Sequence, residues 1–146
     1  MKRQIKLTEQ ILLTAGVIEI AAGLLHFAMP SIAYQSKGFS LLHPDEINFV
    51  TLVVFAVGIL LVAFGSLTIF FSKKVETAAE IVYTYVVIKT VLWIGRVVLE
   101  ILYPVNLNMF NIEPFTLVVL PGIIIEMLLF VVSVVLMKKV MVAKNT

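Results

Sequence analysis

Apolar residues fill the chain in four long runs, separated by short polar breaks. A helix needs roughly 20 apolar residues to cross a hydrocarbon layer, and all four runs reach that length. The first helix is expected over about residues 11–29 and the second, which carries no charge, over about 47–71. The third is expected over about 81–103 and the fourth over about 115–137. Pro30 and Pro104 mark the ends of the first and third, since proline disfavours helix in the residue before it. Pro121 and Gly122, near the start of the fourth, are where a kink would fall.

The breaks carry start signals. "HPDEIN" puts Pro44 in a first turn, with Asp45 and Glu46 against the positive end of the helix dipole. "SKKVETAAE" joins helices 2 and 3, and the Asn-rich "PVNLNMFNIEP" joins 3 and 4. Residues 31–46 leave room for a surface loop or a short interfacial helix. No low-complexity segment or second domain interrupts 1–146. The expected fold is all-α: a polytopic membrane protein forming a four-transmembrane-helix bundle as a single membrane domain.

Composition agrees with the pattern. Of 146 residues, 61% are hydrophobic and 14% charged, and the mean hydropathy is +1.09. Soluble domains carry about 25% charged residues, so the balance is that of an integral membrane protein. The net charge of +2 needs no nucleic-acid partner, because the basic residues stand at the ends of apolar runs. The opening "MKRQIK" imitates a signal peptide, but no small-x-small cleavage site precedes a soluble domain, and the segment reads as a retained helix.

Lysine and arginine set the expected orientation. Lys2, Arg3 and Lys6 precede helix 1, Lys73 and Lys74 follow helix 2, and Lys138, Lys139 and Lys144 follow helix 4. The opposite loops hold only Lys37, beside Asp45, Glu46 and Glu113. By the positive-inside rule both termini are cytoplasmic, with the chain in the inner membrane.

Charges inside the runs need another account. Glu19 and His26 are seven residues apart, as are Lys89 and Arg96. Seven residues return to nearly the same helix face about 10 Å further along. With helices 1 and 3 both running outward, an inner layer of Glu19, Lys89 and Glu126 is expected near the midplane. His26, Arg96 and Glu100 would form an outer layer, with His43 and Asp45 as candidates to cover it. On helix 3, Tyr85, Lys89, Trp93, Arg96 and Glu100 follow spacings of 4, 4, 3 and 4, one face of an α-helix. Gly16 and Gly23 on helix 1, and Thr51, Gly58 and Gly65 on helix 2, repeat every seven residues and would let helices approach closely.

Insertion scales put an unpaired central charge at roughly 2.5–3.5 kcal/mol. Five such charges on a lipid face would defeat insertion, so facing stripes in a polar interior are expected. Lys89 and Arg96 oppose Glu19, Glu100 and Glu126, which leaves one negative charge over. The imbalance calls for a protonated His26, a protonated Glu, or a cationic ligand.

Two readings of this cluster stand side by side. In one, Glu19, His26, Lys89, Arg96, Glu100 and Glu126 are an ion-pair network fixing helix register. In the other they line a polar intramembrane pocket or proton path. Tyr85 and Trp93 read first as packing residues, though both could line a pocket. Tyr34, Tyr103 and Phe115 read as interfacial belt residues. A bis-His haem is disfavoured, because His43, the one other histidine, lies in a loop. No metal-ligand spacing, nucleotide loop or nucleophile elbow is present, and with no Cys there is no thiolate or disulfide chemistry.

"AGLLHFAMP" in helix 1, "GRVVLEILYPVNLNMF" through helix 3 and "EPFTLVVLPGIIIEMLLF" in helix 4 together resemble the DoxX-like group of small four-helix membrane proteins. The resemblance implies a four-helix bundle with Arg96 as the family-like arginine of helix 3. It implies no single activity. Some relatives are membrane subunits of thiosulfate:quinone oxidoreductases, and the lack of Cys argues against thiol-based sulfur chemistry here.

The leading expectation is a protein without independent catalysis, an accessory or anchoring subunit, or a binder of a lipid-like small molecule such as quinone between helices 1, 3 and 4. Its partners would be the bilayer, and other membrane subunits or further copies of itself. A quinone-linked oxidoreductase subunit would use Arg96, Glu100 and His26 on the head group. A small proton-coupled transporter would use Glu19, Lys89 and Glu126.

Overall fold

The long apolar runs all form helix. In the computed structural model, α1 spans Lys2–Ala33, α2 Pro44–Ser72, α3 Ala79–Leu102 and α4 Glu113–Asn145, with a 3₁₀ turn at Phe39–Leu41. The structure describes residues 1–33, 39–103 and 113–145, with side chains at 1–32, 39–103 and 119–143. Tyr34, Lys37, Pro104, the Asn-rich connection, and the side chains of Glu113, Phe115 and Lys144 lie outside the described residues. Three helical stretches are long and apolar enough to cross a membrane: Lys2–Ile32, Pro44–Ser72 and Val119–Ala143.

Helix boundaries extend past the apolar runs. α1 begins at Lys2 rather than near residue 11, and α4 runs on to Asn145 rather than stopping near 137. Hydropathy marks only the stretch suited to hydrocarbon. "KRQIKLTEQ" contains no helix breaker, so the helix continues beyond that stretch. The extensions also pack: Ile5 of α1 and Val140 of α4 join Leu12, Val75, Ala79, Val82 and Met137 in one buried cluster. The core therefore sits towards the end that bears both termini.

Pro30 does not end α1, which continues to Ala33 with the proline inside it. The missing N–H deletes one bond, to the His26 carbonyl, and leaves the following turn free to close. Ser31 Oγ donates to the Ala28 carbonyl at 2.7 Å in that turn. α4 likewise runs through Pro121. α3 does stop before its proline: Tyr103, non-helical at φ −132° and ψ 66°, returns its N–H to Leu99 O at 2.8 Å.

The start of α2 is built as its sequence suggests, with Pro44 in the first turn and Asp45 and Glu46 beside it. His43 supplies the cap. Its Nδ1 accepts from Asp45 N at 3.5 Å, and its own N–H donates to Glu46 Oε2 at 2.8 Å, a reciprocal capping box.

α1 packs against α2 on one side and α4 on the other, and α4 packs against α3. The α1–α2 seam is set by glycine. A Cβ on Gly16 would stand 2.7 Å from the Gly65 carbonyl oxygen, and one on Gly65 would stand 2.7 Å from that of Gly16. A Cβ on Gly23 would stand 2.8 Å from the Gly58 oxygen, and one on Gly58 would stand 3.0 Å from that of Gly23. The two antiparallel backbones meet where both seven-residue repeats fall in register. Outward faces are aliphatic and aromatic, as at Leu52, Ile59, Ile88, Val91, Ile125 and Val132.

Candidate functional site

Glu19 projects from α1 one turn beyond Ala15 and next to the glycine seam, and it is fully buried. A carboxylate there must be matched, since an unpaired buried charge costs several kcal/mol. Two other helices meet it. Lys89 of α3 forms a salt bridge to Glu19 Oε1. Trp93 Nε1, one turn further along α3, donates to the same oxygen at 3.1 Å. Thr68 of α2 donates from Oγ1 to Glu19 Oε2 at 3.0 Å.

A second tier of hydrogen bonds holds Thr68. Tyr85 Oη lies 2.7 Å from Thr68 Oγ1 and 3.1 Å from the Phe64 carbonyl oxygen. Thr68 Oγ1 is also 2.8 Å from that carbonyl. Each hydroxyl has one proton to give. With Thr68 donating to Glu19, Tyr85 donates to Thr68 or to Phe64 O, and every oxygen in the group is satisfied. The Tyr85 ring packs against Phe71 with centroids 4.6 Å apart.

Lys89 is caged as well as paired. Its ammonium nitrogen lies 4.7 Å from the Phe64 ring centroid, 5.2 Å from Phe130 and 5.8 Å from Trp93. Each ring face attracts a cation by about 0.5–2 kcal/mol. Tyr85, Lys89 and Trp93, at successive turns of α3, thus close around one carboxylate from α1. The inner charge cluster is a satisfied ion pair.

The outer residues behave differently. Arg96 Nη2 and Glu100 Oε2 pair at 2.6 Å along α3 itself, so this bridge ties no two helices together. Glu100 is 7% exposed and Arg96 40%. His26 Nδ1 is 2.7 Å from the Ala22 carbonyl on its own helix, and its Cβ faces Gly58 of α2. It therefore points to the α1–α2 seam, and no hydrogen bond joins it to Arg96 or Glu100 among the described residues. His43 and Asp45 stand exposed at the start of α2, 3.6 Å apart, where His43 caps the helix.

Glu126 of α4 completes the set. It is 3% exposed and within electrostatic reach of Glu19 and Lys89. Both of its carboxyl oxygens are buried without a hydrogen-bond partner among the described residues. Phe130, which touches the Lys89 cage, is one turn further along α4. Because α4 runs antiparallel to α3, that offset of about 6 Å brings Glu126 level with Trp93, between Lys89 and Arg96. Lys89 and Arg96 each have a carboxylate already, and no cation is paired with Glu126 among the described residues.

Three participants were not singled out by pattern: Thr68, Phe64 and Phe130. Thr68 had a signal, a hydroxyl three residues beyond Gly65 in a run without charged residues. Phe64 and Phe130 had none, since aromatic residues recur throughout the spans. Among the described residues no three His, Cys, Asp or Glu side chains converge in a way that could hold a metal ion. Comparison of the chain with family models, curated proteins and solved structures finds no match.

Proposed function

We propose that all four helices cross the membrane as one bundle, with both termini on the cytoplasmic side. α3 carries the most intramembrane charge, and its charged face is turned onto Glu19 and its own Glu100, while Ile88, Val91 and Val98 face outward. A 24-residue helix is about 36 Å long at 1.5 Å per residue, enough for a hydrocarbon core of about 30 Å. The lysine and arginine asymmetry of the flanks supports the orientation.

Within that bundle the chain acts as a DoxX-like accessory or anchoring subunit that binds a lipid-like small molecule between α1, α3 and α4. It performs no catalysis of its own. The observation that carries this reading is Glu126: a buried carboxyl with both oxygens unpartnered among the described residues, beside an ion pair whose members are already satisfied. Buried polar groups are ordinarily hydrogen-bonded, and a head group entering from the membrane would complete the set. Arg96, partly exposed one turn further out, is a further polar contact for it.

The chain's single tryptophan, Trp93, reports on the site directly. The protein is placed in phosphatidylcholine nanodiscs and titrated with a decyl-quinone and with bromodecanol, both of which quench indole fluorescence. Binding in a pocket gives quenching that saturates with the number of protein molecules. Quenching that only tracks the amount of probe dissolved in the bilayer, for every amphiphile tried, overturns the reading.

A further inference from the structure

From the pairing of the interior charges we infer that the lipid-like ligand bears a cationic head group with N–H donors, an alkylammonium, bound by Glu126 beside Trp93. This rests on the reading of the bundle as a ligand binder and names the class of ligand.

Charge sets the sign. Lys89 is paired with Glu19, and Arg96 with Glu100. Each pair is formally neutral, so among the described residues Glu126 is the interior carboxyl with no cation paired to it. His26 does not compensate it, because it faces the α1–α2 seam and bonds its own helix. A ligand carrying one positive charge pairs with it as Lys89 pairs with Glu19.

Hydrogen bonding sets the chemistry. An ionised carboxylate is acceptor-only, and an ammonium offers up to three donors and no acceptor, so one head group can satisfy both Glu126 oxygens. A proton alone cancels the charge but leaves the carboxyl's second oxygen without a donor. A quinone brings acceptors, which do nothing for that oxygen either. The protein's own lysine shows the same recognition one turn away, where a carboxylate and three aromatic rings hold an ammonium. Trp93 belongs to that cage and, by the helix offset, lies level with Glu126.

Two bromine-tagged probes of equal chain length decide the matter: bromodecylammonium and neutral bromodecanol, titrated against Trp93 fluorescence in phosphatidylcholine nanodiscs. The ammonium is expected to quench saturably and more tightly than the alcohol. Glu126→Gln should weaken its binding by on the order of tenfold to a hundredfold, the usual effect of losing a hydrogen bond to a charged group. Glu80→Gln, an exposed change at the other end of α3, should leave binding unaltered and control for general surface charge. The helical circular dichroism of Glu126→Gln verifies its fold. Saturable binding of the alcohol as tight as that of the ammonium, or ammonium binding unchanged in Glu126→Gln, overturns the cationic head group and leaves the ligand-binding reading intact. Saturation by neither probe nor by a quinone removes both.

Discussion

Lys89→Met removes the cation from the Glu19 pair while keeping a flexible side chain of similar length. Glu19, fully buried, then keeps two neutral donors, Trp93 Nε1 and Thr68 Oγ1. Breaking one side of a buried pair costs about 3–5 kcal/mol, and with two donors remaining the lower end, about 3 kcal/mol, is expected. Glu19→Gln leaves the ammonium among three ring faces but without its counter-charge, again about 3 kcal/mol. The double variant buries no unpaired charge and should lie within about 1–2 kcal/mol of the natural chain. The coupling between the two positions is therefore about 3 kcal/mol or more. Reversible unfolding in mixed detergent micelles, followed by circular dichroism, gives the three free energies. Single variants that each cost under about 1 kcal/mol and add to give the double would refute the pair as the tie between α1 and α3.

Other predictions follow from the same geometry. Gly65→Val forces a side chain against the Gly16 carbonyl oxygen, 2.7 Å from its Cβ position, and should lower stability by about 1–3 kcal/mol. Gly95→Ala, where nothing lies within 4 Å of the new methyl, should be neutral or raise stability by up to about 1 kcal/mol in the same unfolding assay. Thr68→Val removes the donor to Glu19 Oε2 and should cost about 1–3 kcal/mol, with a red shift in Trp93 emission as the network loosens. His43→Ala removes half of the capping box and should speed amide exchange in the first turn of α2, at a cost of about 1 kcal/mol.

The charged face of α3 is legible in the sequence because an isolated helix dictates it: Tyr85, Lys89 and Trp93 share a face by their spacing alone. The glycine repeats of α1 and α2 are legible for the same reason, although only the fold shows that Gly16 meets Gly65 and Gly23 meets Gly58. What periodicity does not carry is the rotation and register of one helix against another. That hides the role of Thr68, turns His26 to the α1–α2 seam, and separates Glu126 from the Glu19–Lys89 pair by one turn. The lengths of α1 and α4 escape a hydropathy argument because Ile5 and Val140, beyond the apolar runs, are held in the buried core.

The account depends most on α3 being a membrane span whose uncharged faces meet lipid. The chain has no Cys, so single cysteines at Ile88, Val91 and Val98, all exposed, can carry spin labels without background. In phosphatidylcholine nanodiscs, collision rates with oxygen should be high and those with a water-soluble nickel chelate low at all three, with the greatest depth near Val91. Free access of the nickel chelate to labels at Ile88 and Val91 would contradict a spanning α3, and with it the placement of Lys89, Trp93 and Glu126 in a membrane interior.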